Sequence, residues 1–198
     1  MTYLHTIRFT RDKLPHWEVE SGRYFVTVRV SDSLPRDAIL RLEEIHRTLS
    51  TILPQSSAFV ALQRQYFRTM EKYLDAGAGS CLLRLAPIAS LVVEELALLR
   101  DWKIEVPHYT VMPNHWHALI VPSQDCTHSL SAIMKRLKGR SAKRINRALN
   151  RSGPVWQREW FDRWMRNDAE WDKTVAYIRN NPVSAGLVSS WHEHSWSQ

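Results

Sequence analysis

The sequence predicts a mixed α+β fold. A strand-forming run stands at Tyr24–Val30, two apolar runs at 104–112 and 115–121 are joined by turn residues, and long stretches of helical periodicity separate and follow them. The 198 residues, 44% hydrophobic and 24% charged, suffice for one globular domain with a substantial core. We therefore expect a single domain over 1–198.

Residues 1–20 read as a loosely ordered arm. Tyr24-Phe25-Val26-Thr27-Val28-Arg29-Val30 is rich in β-branched and aromatic residues and predicts a strand. Pro35 opens a helix with Ile39, Leu42, Leu49 and Leu53 near helical spacing, and Pro54 interrupts it. A second helix is expected over Ser57–Asp75, before the flexible break Ala76-Gly77-Ala78-Gly79-Ser80. A third runs from Pro87 to about Arg100. Ile104–Met112 and His115–Val121 then form an antiparallel hairpin around Pro113-Asn114. The stretch Ser129–Leu149 is helical, with Leu130, Ile133, Met134, Leu137, Ile145 and Leu149 as its apolar stripe, and Gly153-Pro154 breaks it. Val155–Met165 is aromatic and partly extended. A last helix begins near Asp168 and is expected to stop before Pro182.

Charge narrows the partners. The net charge is +7 and the pI near 9.7, which favours polyanions. Eight cations lie between Lys135 and Arg151 with no acid among them, and eight of the nine tryptophans follow position 100. A basic surface interleaved with aromatic rings suits unpaired nucleic acid. No apolar run is long enough for a transmembrane helix, and charges throughout the first 20 residues argue against a secretory signal. Cys81 and Cys126 match no zinc pattern and read as free thiols. A cytoplasmic, nucleoid-associated protein is the expectation.

His115-Trp116-His117 lies on the second hairpin strand, so both imidazoles point to one face and Trp116 to the other. Such a pair can chelate one divalent cation. Two buried, hydrogen-bonded histidines would show the same spacing. In the last helix, Trp171, Val175 and Ile178 form the core-facing arc, and Tyr177 falls on the polar side with Lys173, Asn180 and Asn181. Asn181 neighbours Tyr177 one turn later and offers an amide oxygen. An amphipathic surface tyrosine and a helix stop at Asn180-Asn181-Pro182 are the structural alternatives. Joined, two imidazoles, an amide and a phenol are enough to break and reseal a phosphodiester without ATP, because a phosphotyrosine link conserves the bond.

These residues also carry a resemblance. Val111-Met112-Pro113-Asn114-His115-Trp116-His117-Ala118-Leu119-Ile120 resembles the HUH block of the REP-associated tyrosine transposases, relatives of the small single-tyrosine insertion-sequence transposases. Tyr177-Ile178-Arg179-Asn180-Asn181-Pro182-Val183-Ser184-Ala185-Gly186-Leu187-Val188 is similar to their tyrosine helix and the turn after it, and Trp156-Gln157 with Phe161-Asp162-Arg163 to Arg166 resembles the block between. The resemblance spans about 100–190 and the strand at Tyr24–Val30. It implies a ferredoxin-like central antiparallel sheet with helices on one face, and additional helices from an insertion at 54–100.

The resemblance further implies metal ligation by His115, His117 and Asn181, with Mg2+ or Mn2+ as cofactor. It implies attack by Tyr177 to give a 5′-phosphotyrosine, and a hairpin of single-stranded DNA, a repetitive extragenic palindrome, as the target. The basic helix would then run along the DNA through Lys135, Arg136, Lys138, Arg140 and Arg144. Relatives act as monomers or homodimers. Two other readings compete with a transposase: a domesticated protein that binds hairpin DNA or RNA without cutting, and a phosphodiesterase in which Tyr177 is incidental.

Overall fold

The structure is a computed structural model that describes residues 6–11, 15–54 and 56–198. The expected loose arm departs from it: Thr6–Arg11 (β1) and Pro15–Val19 (β2) pair antiparallel as a two-stranded sheet. Residues 1–5 and 12–14 of that arm lie outside the described residues. Thr6–Arg11 mixes β-branched and charged residues, a pattern too polar to read as a strand without its partner. Tyr24 closes this hairpin against the main sheet, its hydroxyl donating to the carbonyl of Val19 at 3.0 Å and accepting from the Val19 amide at 2.7 Å.

The main sheet is antiparallel. Tyr24–Arg29 (β3) lies between His115–Pro122 (β6) and Phe161–Trp164 (β7). On its other side β6 pairs with Ile104–Glu105 (β4) and Tyr109–Val111 (β5). The sequence suggested one strand over 104–112. Pro107 has no amide hydrogen for the ladder, and the strand divides around it. The histidine strand is thus central.

The helices are Arg36–Thr51 (α1), Ser57–Asp75 (α2), Ala86–Ala97 (α3), Leu130–Ala148 (α4) and Asp168–Ser184 (α5). Ser56 and Ser129 cap α2 and α4 by accepting from the amides of Phe59 and Ala132. The helices cover both faces of the sheet. Val26, Val28, Trp116, Ala118 and Ile120 pack under α3 and α4. Phe25 and Leu119, with the opposite parity, pack under α1, α2 and α5. Helix α5 runs through Pro182 rather than stopping before it. Proline there forfeits one bond in the final turn, and the buried ring and the Asn181 carbonyl, which accepts from Ala185 at 3.0 Å, hold that turn closed. No helix among the described residues is long and apolar enough to cross a membrane.

Candidate active site

Strand parity puts His115 and His117 on the face beneath α2 and α5, both fully buried, while Trp116 fills the core on the other side. Each ring is held from behind. Asn114 Oδ1 lies 2.8 Å from Nδ1 of His115, and Thr27 Oγ1 lies 2.8 Å from Nδ1 of His117. The Asn114 oxygen can only accept, which favours the His115 tautomer with hydrogen on Nδ1 and a free lone pair on Nε2, whereas the Thr27 hydroxyl can bond either tautomer of His117. The two Nε2 atoms are 3.1 Å apart. Burial, and then the neighbouring His117, push His115 down to about 3. It is therefore the neutral imidazole that ligation needs.

Two helices bring the remaining groups. From α5, the Tyr177 hydroxyl lies 3.4 Å from Nε2 of His117, and Asn181 Nδ2 donates to that hydroxyl at 3.1 Å. From α2, Glu71 Oε2 lies 3.2 Å from Nε2 of His117 and accepts the hydrogen bond of the Tyr177 hydroxyl. Burial raises the Glu71 carboxyl, but His117, His115 and Tyr177 outweigh it and hold the group below the usual carboxylate range. Burial, and then the Glu71 charge, drive the Tyr177 phenol well above its ordinary value, so it rests protonated.

Glu71 was not foreseen. Its signal lay in α2, where Phe67, Met70 and Leu74 make an apolar stripe and Glu71 interrupts that stripe with a carboxylate. An acid at a core position needs a partner. The expected arc of α5 also shifts. Its inward residues are Thr174, Ile178 and Asn181, with Tyr177 half-buried beside them, while Trp171 and Val175 are only partly covered. A hydrophobic pattern points away from this stripe because the space it faces is a polar site.

Ligand atoms of Glu71, His115 and His117 all lie within 4.8 Å of one another. Two oxygens in the same focus, Glu71 Oε1 and Asn181 Oδ1, are buried without a hydrogen-bond partner. The Nε2 atoms of two imidazoles and a buried carboxylate are a donor set suited to a divalent cation, so the residues fit one.

The five cations of α4 do not join this focus, because α4 lies across the sheet. Arg140 pairs with Glu95 at 2.8 Å, and Arg144 pairs with Glu95 at 3.0 Å and with Glu94, tying α4 to α3. The Arg136 guanidinium lies 3.9 Å over the Trp102 ring. Lys138 donates to the Arg158 carbonyl, and Lys135 borders the same pocket beside His16 and Trp160.

The family profile described as "Transposase IS200 like" matches residues 92–181, which include His115, His117, Tyr177 and Asn181 but not Glu71. Among curated proteins no match reaches significance. Among solved structures, a REP-associated tyrosine transposase bound to a REP hairpin overlays with a TM-score of 0.53 at 16% identity, covering 94% of this chain and 82% of that one. A structure from Deinococcus radiodurans R1 aligns at 14% identity with a TM-score of 0.34, covering 80% and 89% of the two chains. The segment that holds both histidines and the tyrosine is thus similar to the IS200-like transposase profile, and the chain shares its fold with a REP-associated tyrosine transposase.

Proposed function

We propose that this protein cleaves and rejoins single-stranded DNA at hairpins, with Tyr177 as nucleophile and a divalent cation held by His115, His117, Glu71 and Asn181. The observation that carries the proposal is the convergence of a phenol from α5 and two imidazoles from β6, with 3.4 Å between the Tyr177 hydroxyl and Nε2 of His117.

The phenol oxygen attacks the scissile phosphorus, and the bond from phosphorus to the 3′ oxygen breaks. The departing 3′ oxygen takes a proton from solvent, so the products are a 5′-phosphotyrosine and a 3′-hydroxyl. The phenol proton has an acceptor in place, Glu71 Oε2. Attack by a 3′-hydroxyl on the phosphotyrosine reverses the chemistry and returns the phenol. Asn181 aims the hydroxyl throughout. The cation, when bound, offsets charge on the phosphate oxygens. Mn2+ or Mg2+ would serve, and the nitrogen ligands favour Mn2+. The hairpin as substrate class rests on the fold shared with the hairpin-bound transposase. We also read the chain as one domain in which 54–100 is an inserted segment that contributes Glu71.

The test is incubation with an end-labelled single-stranded DNA hairpin and Mn2+ or Mg2+. A covalent protein–DNA adduct that Tyr177→Phe abolishes is the expected result. Tight binding with no adduct under either metal would make the protein a hairpin binder instead.

A further inference from the structure

Between α2, β7 and α5 runs a groove of about 490 Å³ that ends on Tyr177. Its volume is within the range of about 300–1,000 Å³ typical of ligand sites. Cations dominate its walls. Arg64 and Arg68 come from α2, Arg163 and Arg166 from β7 and the turn after it, and Lys173 from α5. Among the described residues, Arg64, Arg68, Arg166 and Lys173 make no ion pair, and Arg163 spends one nitrogen on the Thr174 hydroxyl at 3.2 Å. This contrasts with α4, where Arg140 and Arg144 are neutralised by Glu94 and Glu95. Glu170 is the one acid lining the groove, and it accepts from the Arg166 backbone amide at 3.1 Å.

Aromatic rings line the floor. Phe67 and Phe161 lie 4.7 Å apart and Phe67 stands 5.8 Å from the Tyr177 ring, with Trp164 beside them in the groove. Two donors in the wall, Trp164 Nε1 and Arg163 Nε, are buried without a partner. Unneutralised cations that converge on one channel repel each other, and a polyanion relieves that repulsion. Rings between them suit unstacked bases, which duplex DNA does not present.

We propose that this groove, and not the surface of α4, receives the unpaired strand that adjoins the scissile phosphate. Arg64, Arg68, Arg166 and Lys173 hold its phosphates, and Phe67, Phe161 and Trp164 stack a base. The inference builds on Tyr177 as nucleophile, but its test involves no cleavage.

Fluorescence anisotropy of labelled oligothymidylate is measured in chelator, at several salt concentrations. Arg64→Ala with Arg68→Ala weakens binding by about tenfold or more and lowers the slope of log affinity against log salt by about 1.4, the value for two phosphate contacts on a single strand. Lys143→Ala with Arg147→Ala, exposed positions on α4, leaves both nearly unchanged. Equal losses from the two pairs overturn the groove. In a second measurement on the unaltered chain, an oligonucleotide carrying 5-iododeoxyuridine is photo-cross-linked and mapped by mass spectrometry. Adducts at Phe67, Phe161 or Trp164 support the groove, and adducts confined to α4 overturn it. Groove binding without a metal-dependent adduct at Tyr177 would instead sink the nuclease reading and leave the groove standing.

Discussion

Asn181 donates its side-chain amide to the hydroxyl of Tyr177 across one turn of α5, at 3.1 Å. The bond fixes the phenol over the imidazoles and leaves Asn181 Oδ1 buried with no hydrogen-bond partner among the described residues. In the proposed reaction one residue thereby serves two tasks, aiming the nucleophile and offering an oxygen to a cation. Asn181→Ala is expected to slow adduct formation by about 10- to 100-fold, the range for groups that orient metal-site ligands. Hairpin binding should hold within about twofold by anisotropy. A rate equal to wild type would remove Asn181 from the site.

Glu71 is the carboxylate of the donor set. Glu71→Gln keeps the shape but loses the charge, and Mn2+ binding by calorimetry should weaken by about tenfold or more. His115→Ala with His117→Ala should abolish the adduct yet weaken hairpin binding only modestly. Equal loss of both would show that the histidines support the fold.

His16 links the β1–β2 hairpin to the main sheet, pairing through Nδ1 with Asp162 and lying 3.6 Å from Glu159 through Nε2. Burial alone would lower the ring, but the hydrogen bond to Asp162 and the nearby Glu159 carboxylate prevail and raise it to about 9 from 6.5. A raised base stabilises the fold fully below about 6.5, and that contribution fades as pH climbs through about 9. The difference in melting temperature between wild type and His16→Gln should therefore shrink between pH 6.5 and 9. A constant difference across that window would mean that the ring is uncharged.

Gly79 has φ of +86°, and a Cβ there would stand 2.4 Å from the Asp32 carbonyl oxygen. Gly79→Ala should cost about 2 kcal/mol or more in urea unfolding, from backbone strain and collision together. The loop matters to the chemistry, because Asn114 donates to the carbonyls of Leu74 and Ala78 while it supports His115. The same variant should thus weaken Mn2+ binding, and intact metal affinity would show that the loop and the site are uncoupled.

The parity of His115 and His117, the start of α4 at Ser129 and the bounds of α2 were legible because they depend on local rules of period. Tyr177 was legible through its neighbours in the motif. Glu71 was not, since its meaning depends on a contact with Tyr177 across 106 positions of chain, and no local pattern encodes such a contact. Helix α4 shows the opposite limit of a local reading. Its run of cations is conspicuous in one dimension, but Glu94 and Glu95, which neutralise two of them, lie on a different helix. The cations of the groove are scattered over three elements and become a channel only when α2 closes over β7 and α5.

The family match begins at residue 92, yet α2 ends at Asp75. Anyone pruning this chain to its recognisable segment would keep Tyr177 and both imidazoles and discard the carboxylate that takes the phenol's hydrogen bond. The same cut would strip Met70 and Leu74 from above Phe25 and Leu119, leaving greasy sheet exposed to water. A minimal version of this protein cannot be made from the middle outward, and α2 has to travel with the tyrosine in any graft.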